Sequence, residues 1–216
     1  MDLKDKFVIT ISREVGSGGH SVGRLLAERL GVRFYDKELI NALREKFNLT
    51  TYEIERLKGE KKNWLSDFFS KLSPMPPQSM LNDPESVYLE NISSQVTTDD
   101  IYKSETAILK ELAGESSCVI AGRSGFFALE GHPNKFDVFI TAPLENRIRR
   151  VMAKQNLSED TATIIVGEVD KMRENYVKRY TDRSRYDARN YGLCINMDKL
   201  TEEQAVEVIL SYLGAR

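Results

Sequence analysis

Short apolar runs along the chain alternate with longer segments in which apolar residues recur every three to four positions. The first pattern predicts buried strands and the second predicts amphipathic helices. The predicted strands are residues 7–11, 32–35, 118–121, 136–141 and 193–196. The predicted helices are residues 21–31, 36 to about 47, 99–114, 144–154, 158 onward and 201–213. Strands that alternate with helices predict an α/β fold with a parallel sheet covered on both faces.

Residues 48–97 interrupt this alternation, because they contain no convincing strand. Residues 50–53 resemble a capping box that opens a helix, whereas the prolines of residues 73–77 require a loop. We therefore expect a mainly helical insertion within a single domain that comprises residues 1–216.

Three glycines within four residues, Gly16-Ser17-Gly18-Gly19, join the first predicted strand to the first predicted helix. Amides of such a loop can form a nest for an anion, and the N-terminus of the following helix adds a partial positive charge. The hydroxyl of Ser21 is placed to reach a Mg²⁺ ion on bound phosphates. Two alternatives stay open: a tight turn without a ligand, and a dinucleotide-binding loop, although residues 16–21 do not spell GxGxxG.

The loop lacks the lysine of the usual phosphate-binding pattern GxxxxGK[ST]. In one alignment His20 stands at the lysine position and Glu14 at the first glycine. In the other alignment, one residue separates the lysine position from the Ser/Thr position. Gly19 then stands at the lysine position, Ser21 at the Ser/Thr position and Arg13 at the first glycine. Phosphoryl transfer spreads negative charge over the moving group, so we expect arginines to supply the neighbouring positive charge.

Charge and composition narrow the class of ligand. A net charge of −2 over 216 residues gives no general attraction to a nucleic-acid polymer or an anionic membrane. Eight of the sixteen arginines nevertheless lie between positions 147 and 189, which suits a small anionic ligand. No apolar run has the length of a membrane span, and the first residues lack a signal-peptide core. The oligomeric state stays open.

The two cysteines and two histidines do not form the pattern of a metal site. Cys118 and Cys194 lie in apolar strand-like segments, so we expect both to be buried, reduced thiols. A cytoplasmic location is expected from these features.

Several blocks of the sequence together resemble the cytidylate kinase-like family, the divergent branch beside the true cytidylate kinases. The blocks are residues 9–19, 26–31, 34–40, 121–123, 137–150 and 190–196. The resemblance favours the alignment with Gly19 at the lysine position. It implies a P-loop NTPase fold: a parallel five-stranded sheet with helices on both faces, a helical acceptor-side insertion at 48–97 and an arginine-bearing lid at about 155–189. It also implies ATP and Mg²⁺ as cofactors.

The resemblance also suggests roles for individual residues. In true cytidylate kinases the segment similar to residues 122–124 reads GRD and helps to bind the monophosphate. This chain keeps Arg123 but has Ser124 in place of the aspartate, so specificity for cytosine nucleotides does not follow. Arg147 would lie beside the adenine of ATP, and Arg150 near its phosphates. Asp36 is expected to cap a helix or, in addition, to contact acceptor or metal.

The expected site therefore comprises three groups of residues. The donor-binding group is Gly16, Ser17, Gly18, Gly19, His20, Ser21 and Arg147, with Ser21 also the Mg²⁺ ligand. The acceptor-binding group is Asp36 and Arg123, and the catalytic group is Arg13, Arg150, Arg179, Arg183 and Arg185. The expected function is ATP-dependent phosphoryl transfer to a small acceptor, a nucleoside monophosphate. The alternatives are a nucleotide-binding regulatory protein with weak or no transfer, and a kinase of another small metabolite.

Overall fold

The computed structural model describes residues 1–36, 97–122 and 124–214. The predicted helix from residue 36, almost all of the predicted insertion at 48–97, and Arg123 lie outside these residues. The chain divides into two compact units, residues 1–39 with 106–216 and residues 40–105. The site described below is built from the first unit.

Five parallel strands form one sheet in the order β2-β3-β1-β4-β5. The strands are β1 (Val8–Arg13), β2 (Arg33–Tyr35), β3 (Cys118–Ala121), β4 (Lys135–Thr141) and β5 (Leu193–Asn196). In the register, Ile11 pairs with Ala121 of β3, whereas Arg13 still pairs with Ile140 of β4. The end of β1 therefore projects beyond the end of β3, at the carboxyl edge where parallel α/β sheets bind ligands.

Helices accompany the strands. They are α1 (Gly19–Leu30), α2 (Thr98–Glu115), α3 (Gly125–Ala128), α4 (Leu144–Gln155), α5 (Glu159–Thr181) and α6 (Glu202–Tyr212). Ser158 caps α5 by accepting a hydrogen bond from the amide of Thr161, as its sequence predicts. A capping box formed by Thr201 and Gln204 opens α6.

Both faces of the sheet are buried, because alternate side chains of each strand pack against helices on opposite sides. Ile9 and Ile11 belong to the same core as Val22 of α1 and Ile209 of α6. On the other face, the core includes Val8 and Ile120 of the sheet, Leu109 of α2 and Ala128 of α3. A third cluster joins α4 to α5 through Ile148, Val151, Ala162 and Val166. This packing fixes the loops at the carboxyl edge of the sheet.

The prediction of two buried thiols is confirmed for Cys118 and wrong for Cys194, which is exposed. β5 is an edge strand in which only Ile195 is buried, so the neighbouring side chains point away from the core. None of the helices in the described parts of the chain is long and apolar enough to cross a membrane.

Candidate active site

The loop between β1 and α1 requires glycine at two positions. Gly16 and Gly18 have φ angles of 77° and 89°, which side chains other than glycine rarely adopt. A Cβ atom at Gly16 would overlap the carbonyl oxygen of Arg147, and one at Gly18 would overlap Nη1 of Arg150. The backbone of α4 and a guanidinium group of the same helix therefore lie directly against the loop.

The loop is closed by its own hydrogen bonds. Both the amide and the hydroxyl of Ser17 donate to the carbonyl oxygen of Glu14, at 3.3 and 2.9 Å. The Ser17 side chain is thus turned inward and is 1% exposed. No hydrogen bond between described residues takes up the amides of Gly16, Gly18 and Ser21. These amides, at the N-terminus of the twelve-residue helix α1, form a nest that suits an anion.

Arg13 occupies the space that a side chain at the missing lysine position would need. A Cβ atom at Gly19 would lie 2.5 Å from Cβ of Arg13, and one at Gly122 would overlap the Arg13 guanidinium. Nη2 of Arg13 lies 3.2 Å from Oδ1 of Asp36, which directly follows β2. The guanidinium therefore crosses the carboxyl edge of the sheet beside the loop, although it comes from a different position than the usual lysine.

Asp36 brings together two of the predicted residues. Its side chain is 11% exposed and contacts Arg13 on one oxygen and Nε2 of His20, at 3.2 Å, on the other. The His20 ring also packs edge-on against Phe34 of β2. The predicted donor-side histidine and acceptor-side aspartate are thus direct neighbours.

Arg147 lies beneath the loop. It is 9% exposed, and each of its three guanidinium nitrogens contacts the protein. Nε donates to the carbonyl oxygen of Ala142 at 3.1 Å, Nη1 to Oδ2 of Asp170 at 2.6 Å, and Nη2 lies 3.4 Å from Oε1 of Glu14. Its contacts in this arrangement support the loop, and the contact with adenine stays a prediction.

Of the three arginines predicted in the lid, the structure brings Arg185 to the loop. Arg185 is 4% exposed, and its Nη2 donates to the carbonyl oxygen of Arg13 at 2.5 Å. Its buried Nη1 has no hydrogen-bond partner among the residues that the structure describes. Arg183 instead forms an exposed ion pair with Glu130 at 2.9 Å, and Arg179 lies over the ring of Tyr180.

The position of Arg185 is supported from behind by Tyr191, whose hydroxyl donates to the Arg185 carbonyl oxygen at 2.7 Å. Burial raises the pKa of Tyr191 to about 12, so this hydroxyl stays protonated at neutral pH. The hydrogen bond is therefore present over the whole physiological range.

A pocket of about 280 Å³ adjoins the loop at Gly16. Two hydrogen bonds order its polar side: Arg149 donates to Asn146 at 2.5 Å, and Asn146 donates to Asp198 at 3.1 Å. Arg150 at its rim pairs with Glu202 at 2.6 Å. The pocket is lined by Gly16, Ala142, Asn146, Arg149, Arg150, Met197, Asp198 and Leu200. It is large enough for a nucleobase and lies next to the amide nest.

The sequence pattern missed Asn146, Arg149, Asp170 and Asp198. Asp170 lies in the charged stretch of a long helix, which by itself is typical of a solvated face. A local signal for Asp170 is lacking, because its partner Val15 is 155 positions away. In the described residues, no group of three or more histidine, cysteine or acidic side chains is arranged to hold a metal ion.

Comparisons with known proteins bear on this arrangement. The model of the cytidylate kinase-like family matches residues 8–199. A cytidylate kinase from Sulfolobus acidocaldarius is 20% identical over 209 residues, which cover 96% of this chain and 94% of that protein. A uronate isomerase from Corynebacterium glutamicum is 32% identical over 92 residues, but the chain spans only 18% of its length.

Solved structures share the fold. An uncharacterized protein from Eubacterium ventriosum has a TM-score of 0.68 and 25% identity, over 97% of this chain and 99% of that chain. A shikimate kinase from Bacteroides thetaiotaomicron has a TM-score of 0.53 and 16% identity, over 96% and 98%. The predicted five-stranded parallel α/β fold of a P-loop kinase is confirmed.

Proposed function

We propose that this chain, which belongs to the cytidylate kinase-like family, transfers the terminal phosphoryl group of ATP to a nucleoside monophosphate. The observation that carries the proposal is the nest formed by the amides of Gly16, Gly18 and Ser21, which have no hydrogen-bond partner among the described residues and lie beside the side chain of Arg13. Family and fold are those of P-loop kinases in general, and the nucleotide acceptor is the finer part of the proposal.

The residues present fit a nucleoside triphosphate. The three open amides and the N-terminus of α1 would hold its phosphates. The pocket of about 280 Å³ beside Gly16 would hold its nucleoside, with Arg150 at the boundary between the two. Ser21 would provide a hydroxyl ligand for Mg²⁺, since Mg²⁺ in such sites takes few protein ligands. The ion supplies positive charge to the phosphate oxygens.

Arg13 supplies the charge that the loop lacks. Phosphoryl transfer spreads negative charge over the moving group, so fixed cations beside it lower the barrier. The Arg13 side chain pairs with Asp36 and passes over Gly122 at the edge of the sheet. Arg185 donates a hydrogen bond to the carbonyl oxygen of Arg13. The two arginines together would take the place of a lysine at position 19.

The cytidylate kinase from Sulfolobus acidocaldarius, which matches nearly the whole chain, favours a nucleoside monophosphate as acceptor. Arg123, which would bind its phosphate, lies outside the described residues, but Gly122 next to it lies under the Arg13 side chain. An acceptor phosphate bound there would be close to the cation that we assign to the transfer.

A second candidate is a kinase whose acceptor is an alcohol. Asp36 is a nearly buried carboxylate at the ligand-binding edge of the sheet, held between Arg13 and His20. A carboxylate can accept the proton of an attacking hydroxyl, whereas the oxygen of a phosphate acceptor needs no base. The shikimate kinase that shares the fold is a kinase of another metabolite class.

One experiment separates these functions. The protein is incubated with ATP and Mg²⁺ and with each nucleoside monophosphate in turn, then with a panel of polyols and hydroxy acids, and ADP formation is followed. ADP formed only with a monophosphate supports the proposal, and ADP formed only with an alcohol supports the second candidate. No acceptor-dependent ADP in either panel would refute transfer. If ATP still raised the Tm in that case, the protein would be a nucleotide-binding regulator.

A further inference from the structure

Asp170 in the middle of α5 is a buried carboxylate, 6% exposed, that faces the phosphate loop. Oδ2 accepts a hydrogen bond from Nη1 of Arg147 at 2.6 Å, and Oδ1 accepts one from the amide of Val15 at 3.1 Å. Two further guanidinium groups lie near Oδ1, Arg185 at 3.5 Å and Arg173 at 3.6 Å. A buried charge is costly unless it is paired, and these contacts pair the Asp170 carboxylate on both of its oxygens.

The same arginines also hold the chain on the other side of Glu14. Arg173 and Arg185 both donate to the carbonyl oxygen of Arg13, at 3.3 and 2.5 Å. The backbone is therefore fixed at the Arg13 carbonyl and at the Val15 amide, in the two peptide groups on either side of Glu14. Because the Val15 amide donates to Asp170, it does not point into the nest. Asp170 thereby fixes the backbone just before Gly16, the first residue of the loop with a positive φ.

Other charged groups surround this contact. Arg147, Arg173 and Arg185 lie within ion-pair distance of Asp170, and Glu14 lies beside Arg147. Oε2 of Glu174 accepts a hydrogen bond from the amide of Arg185 at 2.9 Å. Arg185 uses Nη2 on the Arg13 carbonyl, while its buried Nη1, 3.5 Å from Oδ1 of Asp170, has no hydrogen-bond partner among the described residues. Within the described residues, one buried guanidinium nitrogen thus remains without a hydrogen bond, on a side chain that contacts the entrance of the loop.

We propose that Asp170 is a positioning residue for the donor triphosphate. It fixes the entrance of the loop and orients Arg185, so that Nη1 of Arg185 is available to the terminal phosphate. This inference rests on the proposed function, since it assigns a role within the same site. Asp170 acts through the loop and through Arg185, without a contact of its own to the nucleotide.

The test is the preference for a triphosphate over a diphosphate, which needs no acceptor. Dissociation constants for ADP and for the β,γ-imido analogue of ATP, each with Mg²⁺, are measured by calorimetry. Asp170→Asn keeps the shape and an oxygen for the Val15 amide, but loses the charge. The preference is the dissociation constant of ADP divided by that of the ATP analogue, and we expect it to fall at least fivefold in Asp170→Asn and in Arg185→Gln. In the double variant this ratio should fall no further than in Arg185→Gln alone, because the effects of coupled residues are not additive.

The matched control is Asp182→Asn, which removes an exposed carboxylate from the C-cap of the same helix, where asparagine tolerates the left-handed backbone. Its ratio should stay within twofold of the wild type. A ratio unchanged in folded Asp170→Asn would overturn the inference, and so would an additive double variant. If Asp170→Asn does not fold, an unchanged ratio in Arg185→Gln has the same meaning. If the wild type binds neither nucleotide, the proposed function itself fails, and the inference fails with it.

Discussion

The phosphate loop should not tolerate a methyl group at position 16, and its cost can be separated into two parts. Gly16 has a φ of 77°, so alanine there adopts a left-handed backbone that costs about 1–2 kcal/mol. The new Cβ atom would also overlap the Arg147 carbonyl, which belongs to the backbone of α4 and cannot rotate away. Overpacking of this kind costs about 1–3 kcal/mol. Gly16→Ala should therefore lower the free energy of unfolding by about 2–5 kcal/mol.

Gly31→Ala is the matched control. Gly31 ends α1, the helix that follows the loop, with a φ of 65°, and a Cβ atom there would meet nothing within 4 Å. It should show the backbone cost alone, about 1–2 kcal/mol. Urea unfolding followed by circular dichroism measures both values, and calorimetry measures the binding of ATP and Mg²⁺. We expect Gly31→Ala to bind as the wild type does and Gly16→Ala to bind at least tenfold more weakly. Equal stability and equal binding in the two variants would refute this account of the loop.

Three further predictions concern the surroundings of the loop. Gly19→Lys should destabilise the protein, because its Cβ atom would meet Cβ of Arg13. The double variant R13G/G19K should recover both stability and ATP binding. Equal Tm values for the single and the double variant would contradict this. Between about pH 10 and pH 12 the unfolded chain loses the Tyr191 proton before the native state does, so stability falls as pH rises. The Tm of Tyr191→Phe should therefore decrease less than that of the wild type between pH 9 and 11.5, although the lost hydrogen bond lowers its Tm at every pH. Parallel curves of Tm against pH for the two proteins would contradict this. A thiol reagent should label exposed Cys194 in the native protein, while Cys118, whose pKa burial raises to about 11, should react only on unfolding; early labelling of Cys118 in Cys194→Ser would disprove its burial.

The order of strands and helices could be predicted from the sequence because each element carries its own local signal. Apolar runs mark the strands, and Ser158 and Thr201 cap the helices that follow them. The glycine turn between β1 and α1 was predictable for the same reason, since its glycines lie within four residues. The ends of these elements differ from prediction by one or two residues, as the capping residues flank the hydrogen-bonded turns.

The support of the loop could not be predicted, because it depends on contacts between distant segments. Asp170 and Arg173 of α5, and Arg185 in the segment after α5, contact the loop or its entrance from more than 150 positions away. The local sequence of Asp170 and Arg173 is that of a charged surface helix. Arg147 and Arg150 are three positions apart on α4, yet one is buried beneath the loop and the other lies at its rim. Cys194 has the apolar neighbours of a core residue but lies on an edge strand.

The central claim is that arginine replaces the missing lysine in phosphoryl transfer. Its most direct test is the rate of acceptor-dependent ADP formation by Arg13→Ala, with Arg24→Ala as control, since Arg24 is an exposed residue of α1 that pairs with Glu28. We predict that kcat falls by about 10² or more in Arg13→Ala, the size expected when a group that stabilises the transition state is removed. The control should stay within twofold of the wild type. A wild-type rate in folded Arg13→Ala would contradict the claim.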